Sequence, residues 1–172
     1  MIADKITLEF DKITDLLTDY AFTEQASEYL ANLIPSSDEA VVLEQLERTD
    51  EALVLLYKIG QPPLANIYNI NPHLRRVKLS GSLNAKELRQ IAMHLLAVKL
   101  NKNYLINAKA ENVEVTFFKD EIDALVYFKD LYQRINLCVD EDAQILDSAS
   151  TKLSGIRRKI IQTQGKLEEK LT

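Results

Sequence analysis

The sequence predicts an all-α fold, a multi-helix core domain followed by a long C-terminal helix. Only four glycines and four prolines occur in 172 residues, a scarcity that favours long helices over sandwiches or barrels. Apolar residues make up 47% of the chain, enough for one hydrophobic core at this length. Apolar positions also recur at helical spacing behind capping residues along most of the chain.

The first two helices are predicted from their caps. Thr7 is of a type that caps helix N-termini, and Glu9 and Asp11 follow in the first turn, where carboxylates complement the helix dipole. The apolar positions of this helix are Phe10, Ile13, Leu16, Leu17 and Tyr20. Thr23 is predicted to cap the second helix, which Pro35 stops.

A third, longer helix is predicted between Ser36 and Gly60. Ser36 and Glu39 have the spacing of a capping box, and Gly60 is a natural C-terminal stop. The helically spaced positions are Val42, Leu46, Thr49, Leu53 and Leu56. Three prolines and three asparagines make residues 61–72 irregular, and residues 72–78 are predicted to form one short helical turn.

Further helices are predicted in the second half of the chain. Asn84 and Glu87 are placed to cap a helix that carries Leu88, Ile91 and Leu95. Residues 113–137 are predicted to hold one or two more helices. Their core candidates are Phe117, Phe118, Leu125, Phe128, Leu131 and Ile135.

The last helix has a narrow apolar seam on a strongly charged surface. The seam positions, close to the spacing of a coiled coil, are Leu153, Ile156, Ile160, Thr163, Leu167 and Leu171. Because the pattern is still running at Thr172, we expect the helix to continue into a longer structure. The predicted organisation is a helical core domain over residues 1–150 and the base of a projecting helix over residues 151–172.

Charge is distributed unevenly. The net charge is −5, yet residues 152–172 contain six basic and two acidic residues, which leaves an acidic body and a basic last helix. Cys138 is the only cysteine, which favours a reducing, cytoplasmic setting. We expect neither a signal peptide nor a membrane span, because the start lacks a basic segment followed by an apolar run and no 18-residue apolar stretch occurs.

The sequence carries few residues suited to catalysis or metal binding. The four glycines, at positions 60, 81, 155 and 165, do not form the GxxxxGK[ST] loop that binds nucleotide phosphates. Structural zinc needs about four Cys or His ligands, whereas this chain has Cys138, His73 and His94. We expect His94 to be packed within a helix, His73 to be exposed, and Cys138 to be a small buried residue.

The stretch DEDAQILDSAS, residues 140–150, could be a metal site or a helix entry. Asp140, Glu141, Asp142 and Asp147 offer oxygen ligands suited to calcium or magnesium, but Ile145 stands where an EF-hand loop needs its glycine. The favoured interpretation is a polar turn, a short extended QIL segment, and then a helix cap. Asp147, Ser148 or Ser150 would provide that cap.

Basic residues of the last helix suggest contact with nucleic acid. Arg157, Arg158 and Lys159 lie off the seam, where they could contact phosphates or simply form a solvated face. Arg75, Arg76 and Lys78 form a second small cluster with the same two interpretations. No aromatic residues interleave with either cluster, which disfavours a platform for stacking single-stranded bases.

Three stretches together resemble one family: TLEFDKITDLLTDYA, LERTDEALVLLYKIGQPPLANIYNINPHLRRVKLSGSLNAKEL and CVDEDAQILDSASTKLSGIRRKI. In this order they resemble the N-terminal region of the second bacterial branch of the MutS family, over nearly the whole chain apart from residues 101–125. The resemblance implies a helical core or lever domain whose last helix enters a coiled-coil clamp. It also places an ATPase domain, with ATP and magnesium, and an Smr nuclease domain further along the parent chain. Ala143 stands where similar proteins often have glycine, so the turn there would lack glycine's tolerance of positive φ.

We therefore expect a non-catalytic lever domain, without metal or cofactor of its own. In a parent protein that suppresses homologous recombination or acts in ribosome rescue, and that is expected to be a homodimer, it would couple nucleotide state to a clamp on double-stranded or branched DNA or a ribosome. The residues expected to contact nucleic acid are Arg157, Arg158, Lys159 and Lys166. One rival hypothesis is a free-standing helical module that dimerises through the 153–171 seam. Another is a metal enzyme that uses Asp140, Asp142 and Asp147.

Overall fold

A computed structural model describes residues 9–171 of the chain, with side chains through residue 169. The predicted all-α fold is confirmed: the described residues form helices and no sheet. The α-helices are α1 (Phe10–Thr18), α2 (Glu24–Ala31), α3 (Glu39–Ile59), α4 (Asn71–Lys78), α5 (Ala85–Ala110), α6 (Lys119–Asp123), α7 (Lys129–Cys138) and α8 (Thr151–Leu171), with a 3₁₀ turn at Asp147–Ala149.

The chain divides into two compact units. Unit 1 comprises the described residues up to Asn69 together with Leu96–Tyr127, and unit 2 comprises Ile70–Leu95 and the described residues from Phe128 onward. Helix α5 therefore contributes residues to both units. The predicted boundary at residue 150 separates the helical core from a projecting helix, which is a different question from the division into these two units. That boundary stays a prediction.

Several helix ends lie where the sequence predicts them. The Thr23 hydroxyl accepts a hydrogen bond from the Ala26 amide at 3.1 Å, which confirms the α2 cap. Asn84 and Glu87 form the predicted capping box: each side chain accepts from the other's backbone amide, at 3.0 and 2.8 Å. Gly60 ends α3 with φ 96°, a conformation that glycine tolerates. Thr7 lies outside the described residues.

The start of α3 corrects one prediction. The predicted capping box of Ser36 and Glu39 is wrong, because the carboxylate of Asp38 caps the helix by accepting from the amides of Ala40 and Val41 at 3.0 and 3.4 Å. The Ser36 hydroxyl instead accepts from the Asp38 amide at 3.1 Å. A carboxylate next to the helix start also complements the dipole, which a hydroxyl does more weakly.

The core of unit 1 forms where α3, α5 and the segment after α5 meet. Its buried residues are Leu55, Leu105, Ala108, Val113 and Val115. The two valines were not predicted as core, although their alternation, V-x-V, is the pattern of an extended segment with one buried face. Tyr104 packs against this core and donates a hydrogen bond to the carbonyl of Gly60 at 2.8 Å.

Unit 2 buries residues of α5 and the end of α7. Its buried apolar residues are Ile91, Ala92, Leu95, Ile135 and Val139. Phe128 and Leu131, predicted as core, are instead exposed, because burial on α7 is confined to its C-terminal end. Of the predicted core of residues 113–137, Ile135 is buried, and Phe117, Phe118 and Leu125 are half-buried.

The two histidines differ from each other in their surroundings. His94 is packed within α5 as predicted; its Nδ1 atom is buried and makes no hydrogen bond within the described structure, and burial lowers the pKa of the imidazole. His73 was predicted to be exposed, which is wrong: its side chain is only 16% exposed, and its Nε2 atom lies 3.0 Å from Oε1 of Gln90. Cys138 is half-buried.

Candidate nucleic-acid interface

The stretch 140–150 forms a closed turn rather than an open loop. An isolated antiparallel bridge joins Val139 to Ile145. Inside it, Asp140 exchanges backbone hydrogen bonds with the turn: its amide donates to the Gln144 carbonyl at 3.0 Å, and its carbonyl accepts from Ala143 at 3.2 Å. The Asp140 carboxylate also accepts from the Gln144 amide at 2.7 Å. The polar turn and the extended segment of the favoured interpretation are both present.

Ala143 closes this turn in a left-handed conformation, with φ 58°. The turn therefore uses the positive φ that glycine tolerates best, although alanine occupies the position. The turn requires a positive φ at residue 143, which glycine adopts without strain. Alanine adopts the same φ with some strain.

The second half of the stretch fixes the base of α8. The Ser148 hydroxyl donates to the Leu137 carbonyl at 2.6 Å, which ties the 3₁₀ turn to the end of α7. Ser150 provides the helix cap: its hydroxyl accepts from the Leu153 amide at 3.4 Å, and its carbonyl accepts from Ser154 at 3.0 Å. The three candidate cap residues thus have separate roles: Ser150 caps α8, Ser148 binds the Leu137 carbonyl, and the Asp147 side chain pairs with a residue of α8.

That pairing joins Asp147 to Arg157. Nη1 of Arg157 lies 2.5 Å from Oδ1 of Asp147, across ten residues of sequence. Since both side chains are partly exposed, the ion pair contributes modestly to stability, about 0.5 kcal/mol, and it joins the second turn of α8 to the junction. Among the described residues, no group of three or more His, Cys, Asp or Glu side chains is placed to hold a metal ion.

Helix α8 leaves most of its apolar seam uncovered. Leu153 is half-buried at the junction, whereas Ile156, Ile160 and Leu167 are exposed. Thr163 also lies on the seam, and its hydroxyl donates to the Lys159 carbonyl at 2.8 Å within the same helix. Leu171 lies beyond the described side chains.

The four predicted nucleic-acid-binding residues do not share one environment. Lys159 and Lys166 are exposed and, seven residues apart, lie on the same side of the helix. Arg158 is exposed and lies 3.4 Å from the Ser154 hydroxyl, whereas Arg157 is half-buried and paired with Asp147. Lys152, which sequence reasoning missed, is seven residues before Lys159 and extends the same row; its heptad spacing was the available signal.

The second basic cluster is also only partly available to contact phosphates. Arg75 and Lys78 are exposed on α4. Arg76 pairs with Glu87 of the capping box; hydrogen bonding between the two side chains raises the pKa of the guanidinium and lowers that of the carboxyl group. Gly81 packs closely on Arg76, because its amide donates to the Arg76 carbonyl at 2.9 Å and a Cβ there would lie 2.6 Å from Cγ of Arg76.

Acidic and basic residues are concentrated in different segments of the chain. Residues 70–95 of unit 2 contain five basic residues and one acidic residue, and α8 adds its basic row. Residues 9–69 of unit 1 contain twelve acidic and three basic residues. A polyanion would therefore be attracted to the basic segments of unit 2 and repelled by unit 1.

No helix in the described part of the chain combines the length and apolarity needed to cross a membrane. No family model matches the sequence. The chain is 32% identical over 164 residues to endonuclease MutS2 of Listeria monocytogenes serotype 4a (strain HCC23) and, to the same extent, to that of Geobacillus sp. (strain WCH70). Endonuclease MutS2 of Latilactobacillus sakei subsp. sakei (strain 23K) is 32% identical over 165 residues.

These matches cover 95–96% of this chain and 21% of each relative. The chain thus spans about a fifth of the length of the curated relatives that it matches. The similarity confirms the resemblance that the three sequence stretches predict, for a segment of that length.

Proposed function

We propose that this chain of MutS2-family origin acts as a non-catalytic helical lever domain of a MutS-like, DNA-binding ATPase and endonuclease. In this proposal the lever transmits the nucleotide state of an ATPase domain to a clamp that α8 enters. ATP and magnesium would be bound by that ATPase domain, and this segment would hold neither. The observation that carries the proposal is α8 itself, a helix fixed at its base by the junction, with an exposed heptad seam and a basic row beside it.

Charge and the names of the relatives support a nucleic-acid target for the clamp. A basic helix beside a seam is suited to phosphate contact independent of sequence, and the relatives are named endonucleases. We propose double-stranded or branched DNA, or a ribosome, as the target, in a homodimeric parent protein. Suppression of homologous recombination or ribosome rescue would be the process served.

The proposed phosphate contacts are made by Arg157, Arg158, Lys159 and Lys166. Arg157 would contribute least, because Asp147 already neutralises part of its charge at 2.5 Å. Arg158, Lys159 and Lys166 have exposed side chains. We therefore expect these three to account for most of the salt-dependent affinity.

A binding titration tests this assignment. The change is the triple variant Arg158→Gln, Lys159→Gln, Lys166→Gln, and the measurement is fluorescence anisotropy with a labelled four-way DNA junction and a labelled duplex at several salt concentrations. We expect weaker binding of both probes. The slope of log affinity against log salt should become shallower by about one for each lost contact.

A matched control removes the same charge elsewhere. Lys58, Lys109 and Lys119 are exposed lysines of unit 1, and their replacement by glutamine changes net charge by the same amount. This control variant should bind both probes with nearly the same affinity as the unmodified chain. Equal losses of affinity in the two triple variants would contradict the assignment, as would an unchanged salt slope for the α8 variant.

The second candidate function is a free-standing helical interaction module that dimerises through the 153–171 seam. The exposed Ile156, Ile160 and Leu167 favour it, since such a seam is suited to a second helix. This candidate requires no nucleic acid. Salt-independent or absent binding of both DNA probes would therefore favour it over the lever domain.

A further inference from the structure

The end of α4 is held against the start of α5 by polar contacts. Arg76 pairs with Glu87 of the capping box, and Nε2 of His73 lies 3.0 Å from Oε1 of Gln90. The Gly81 amide donates to the Arg76 carbonyl at 2.9 Å, so the loop between the two helices is closed against α4. These contacts bring the basic side chains of both helix ends into one region of unit 2.

Some of the basic side chains in residues 70–95 have partners within the described part of unit 2. Arg76 pairs with Glu87, and Arg89 donates to Oδ1 of Asn136 at 2.8 Å and lies 4.0 Å from a carboxylate oxygen of Glu141. The other basic residues of this segment are exposed and form no ion pair with a described carboxylate. We call them the α4–α5 basic surface: Arg75, Lys78 and Lys86.

The two cations that α4 contributes lie on its side away from α5. Arg75 and Lys78, three residues apart, are neighbours on one face of the helix, whereas His73 and Arg76 form the face that contacts α5. At 100° per residue, the centres of these two faces lie about 160° apart around the helix. A ligand can therefore reach Arg75 and Lys78 without displacing the contacts between the helices.

Local helix stability accounts for two residues of this surface but not for Lys86. Arg75 and Lys78 lie in the last turn of α4, where cations complement the helix dipole. Lys86 is the second residue of α5, at the positive end of that helix, where a cation is unfavourable. The acidic residue of the same turn, Glu87, pairs with Arg76 instead. A role in binding an anion would explain a lysine at this position.

The composition of this region is suited to phosphates rather than to bases. Residues 70–95 contain no aromatic side chain on which a base could stack. The loop residues Ser80, Gly81 and Ser82 are small and exposed, and the serine hydroxyls can donate to phosphate oxygens. Cations and hydroxyls around a small loop match the phosphodiester backbone of a double-stranded nucleic acid.

We propose that the α4–α5 basic surface binds the phosphodiester backbone of a double-stranded nucleic acid, as a contact separate from the basic row of α8. The inference rests on the proposed function, because it takes a nucleic acid as the partner of this chain. It adds a second contact region in unit 2. The salt dependence of binding should therefore exceed what the contacts of α8 alone provide.

Fluorescence anisotropy of the 172-residue chain with a labelled DNA duplex and a labelled RNA duplex of the same sequence, at several salt concentrations, tests the proposal. The change is the triple variant Arg75→Gln, Lys78→Gln, Lys86→Gln. Its affinity for the duplexes should fall by roughly tenfold or more at low salt. The slope of log affinity against log salt should become shallower by about one for each lost contact.

Two controls separate this surface from net charge and from folding. The triple variant Lys58→Gln, Lys109→Gln, Lys119→Gln loses the same charge from unit 1 and should bind like the unmodified chain. The charge-preserving variant Arg75→Lys, Lys78→Arg, Lys86→Arg should also keep the affinity and the salt slope, because phosphate contact of this kind depends on charge.

Lys86→Gln alone provides a readout that a structural role would not give. Because it removes a cation from the positive end of α5, it should raise the melting temperature slightly while it weakens binding. A lower melting temperature with unchanged affinity would contradict the proposal.

Comparison with the α8 triple variant distinguishes this proposal from the proposed function. If the α8 variant weakens binding and the α4–α5 variant does not, the basic surface is overturned and the proposed function stands. If the reverse is found, the surface is supported and the α8 contacts fail. A loss confined to the DNA or the RNA duplex supports the surface and identifies its nucleic acid, whereas no binding by the unmodified chain overturns both proposals.

Discussion

Ala143 has a left-handed backbone conformation that is set by the turn in which it lies. The turn between Asp140 and Gln144 needs a residue with positive φ at its end, and alanine adopts φ 58° there. A left-handed conformation brings the Cβ of an L-residue close to the following carbonyl oxygen, at a cost of roughly 1–2 kcal/mol. The hydrogen bonds of the turn and the bridge between Val139 and Ile145 hold the residue in this conformation.

Ala143→Gly is therefore expected to stabilise the protein. Relief of the left-handed strain exceeds the extra conformational entropy of glycine in the unfolded chain, which leaves a gain of about 0.5–1 kcal/mol. The measurement is the free energy of unfolding from urea denaturation.

Ala52→Gly is the control, because residue 52 is exposed in the middle of α3. The same substitution there should destabilise by about 1 kcal/mol. A loss of stability at both sites would show that the strain at residue 143 is not present in solution.

At the scale of elements, Glu51 joins two segments of unit 1. One carboxylate oxygen accepts from the amides of Thr116 and Phe117 at 2.7 and 3.0 Å, and the other accepts from Phe118 at 3.1 Å. These amides lie in the segment that leads into α6, so a side chain of α3 anchors a segment far along the chain. Arg48 adds to the attachment through Glu121 at 2.7 Å and lies over the Phe118 ring.

Glu51→Ala is expected to lower the free energy of unfolding by about 2–3 kcal/mol, because it leaves three backbone donors without their acceptor. Thermal and urea denaturation measure the loss. The control is Glu47→Ala, which removes an exposed carboxylate from the same helix and should change stability by less than about 0.5 kcal/mol. Equal effects at the two positions would rule out a specific role for the carboxylate of Glu51.

At the scale of the whole molecule, burial is concentrated in α5. Ala92 and Ala108 are fully buried, and Ala97 and Leu105 are nearly so. Helix α8, by contrast, exposes most of its described side chains beyond the junction. The two helices therefore differ in how much buried surface opposes their local opening.

Hydrogen exchange should reproduce this contrast. At low protein concentration, the amides from Ile91 to Leu105 should be the most protected, whereas those of α8 after Gly155 should exchange much faster, since few tertiary contacts hold them. Mass spectrometry after pulse labelling measures both. Protection of α8 equal to that of α5 would mean that another surface covers its seam in solution.

The interactions that the sequence determines by itself are local. Thr23 caps α2, Asn84 and Glu87 form their box, and Gly60 ends α3, because each requires only residues within four positions along the chain. The all-α fold follows from the same local signals, whereas the choice of Ser150 among the three candidate caps came from the structure. The family resemblance likewise depends on residue order alone.

The tertiary structure decided which surfaces are buried. Helical spacing marks one apolar stripe on α3, yet Leu55 on the other face enters the core, because Val113 and Val115 pack there and Glu51 binds amides 65–67 residues away. Arg157 was a candidate phosphate contact by sequence, and its pairing with Asp147 depends on how the junction folds. Periodicity gives the angle between side chains on one helix, whereas burial depends on which distant segment packs against it.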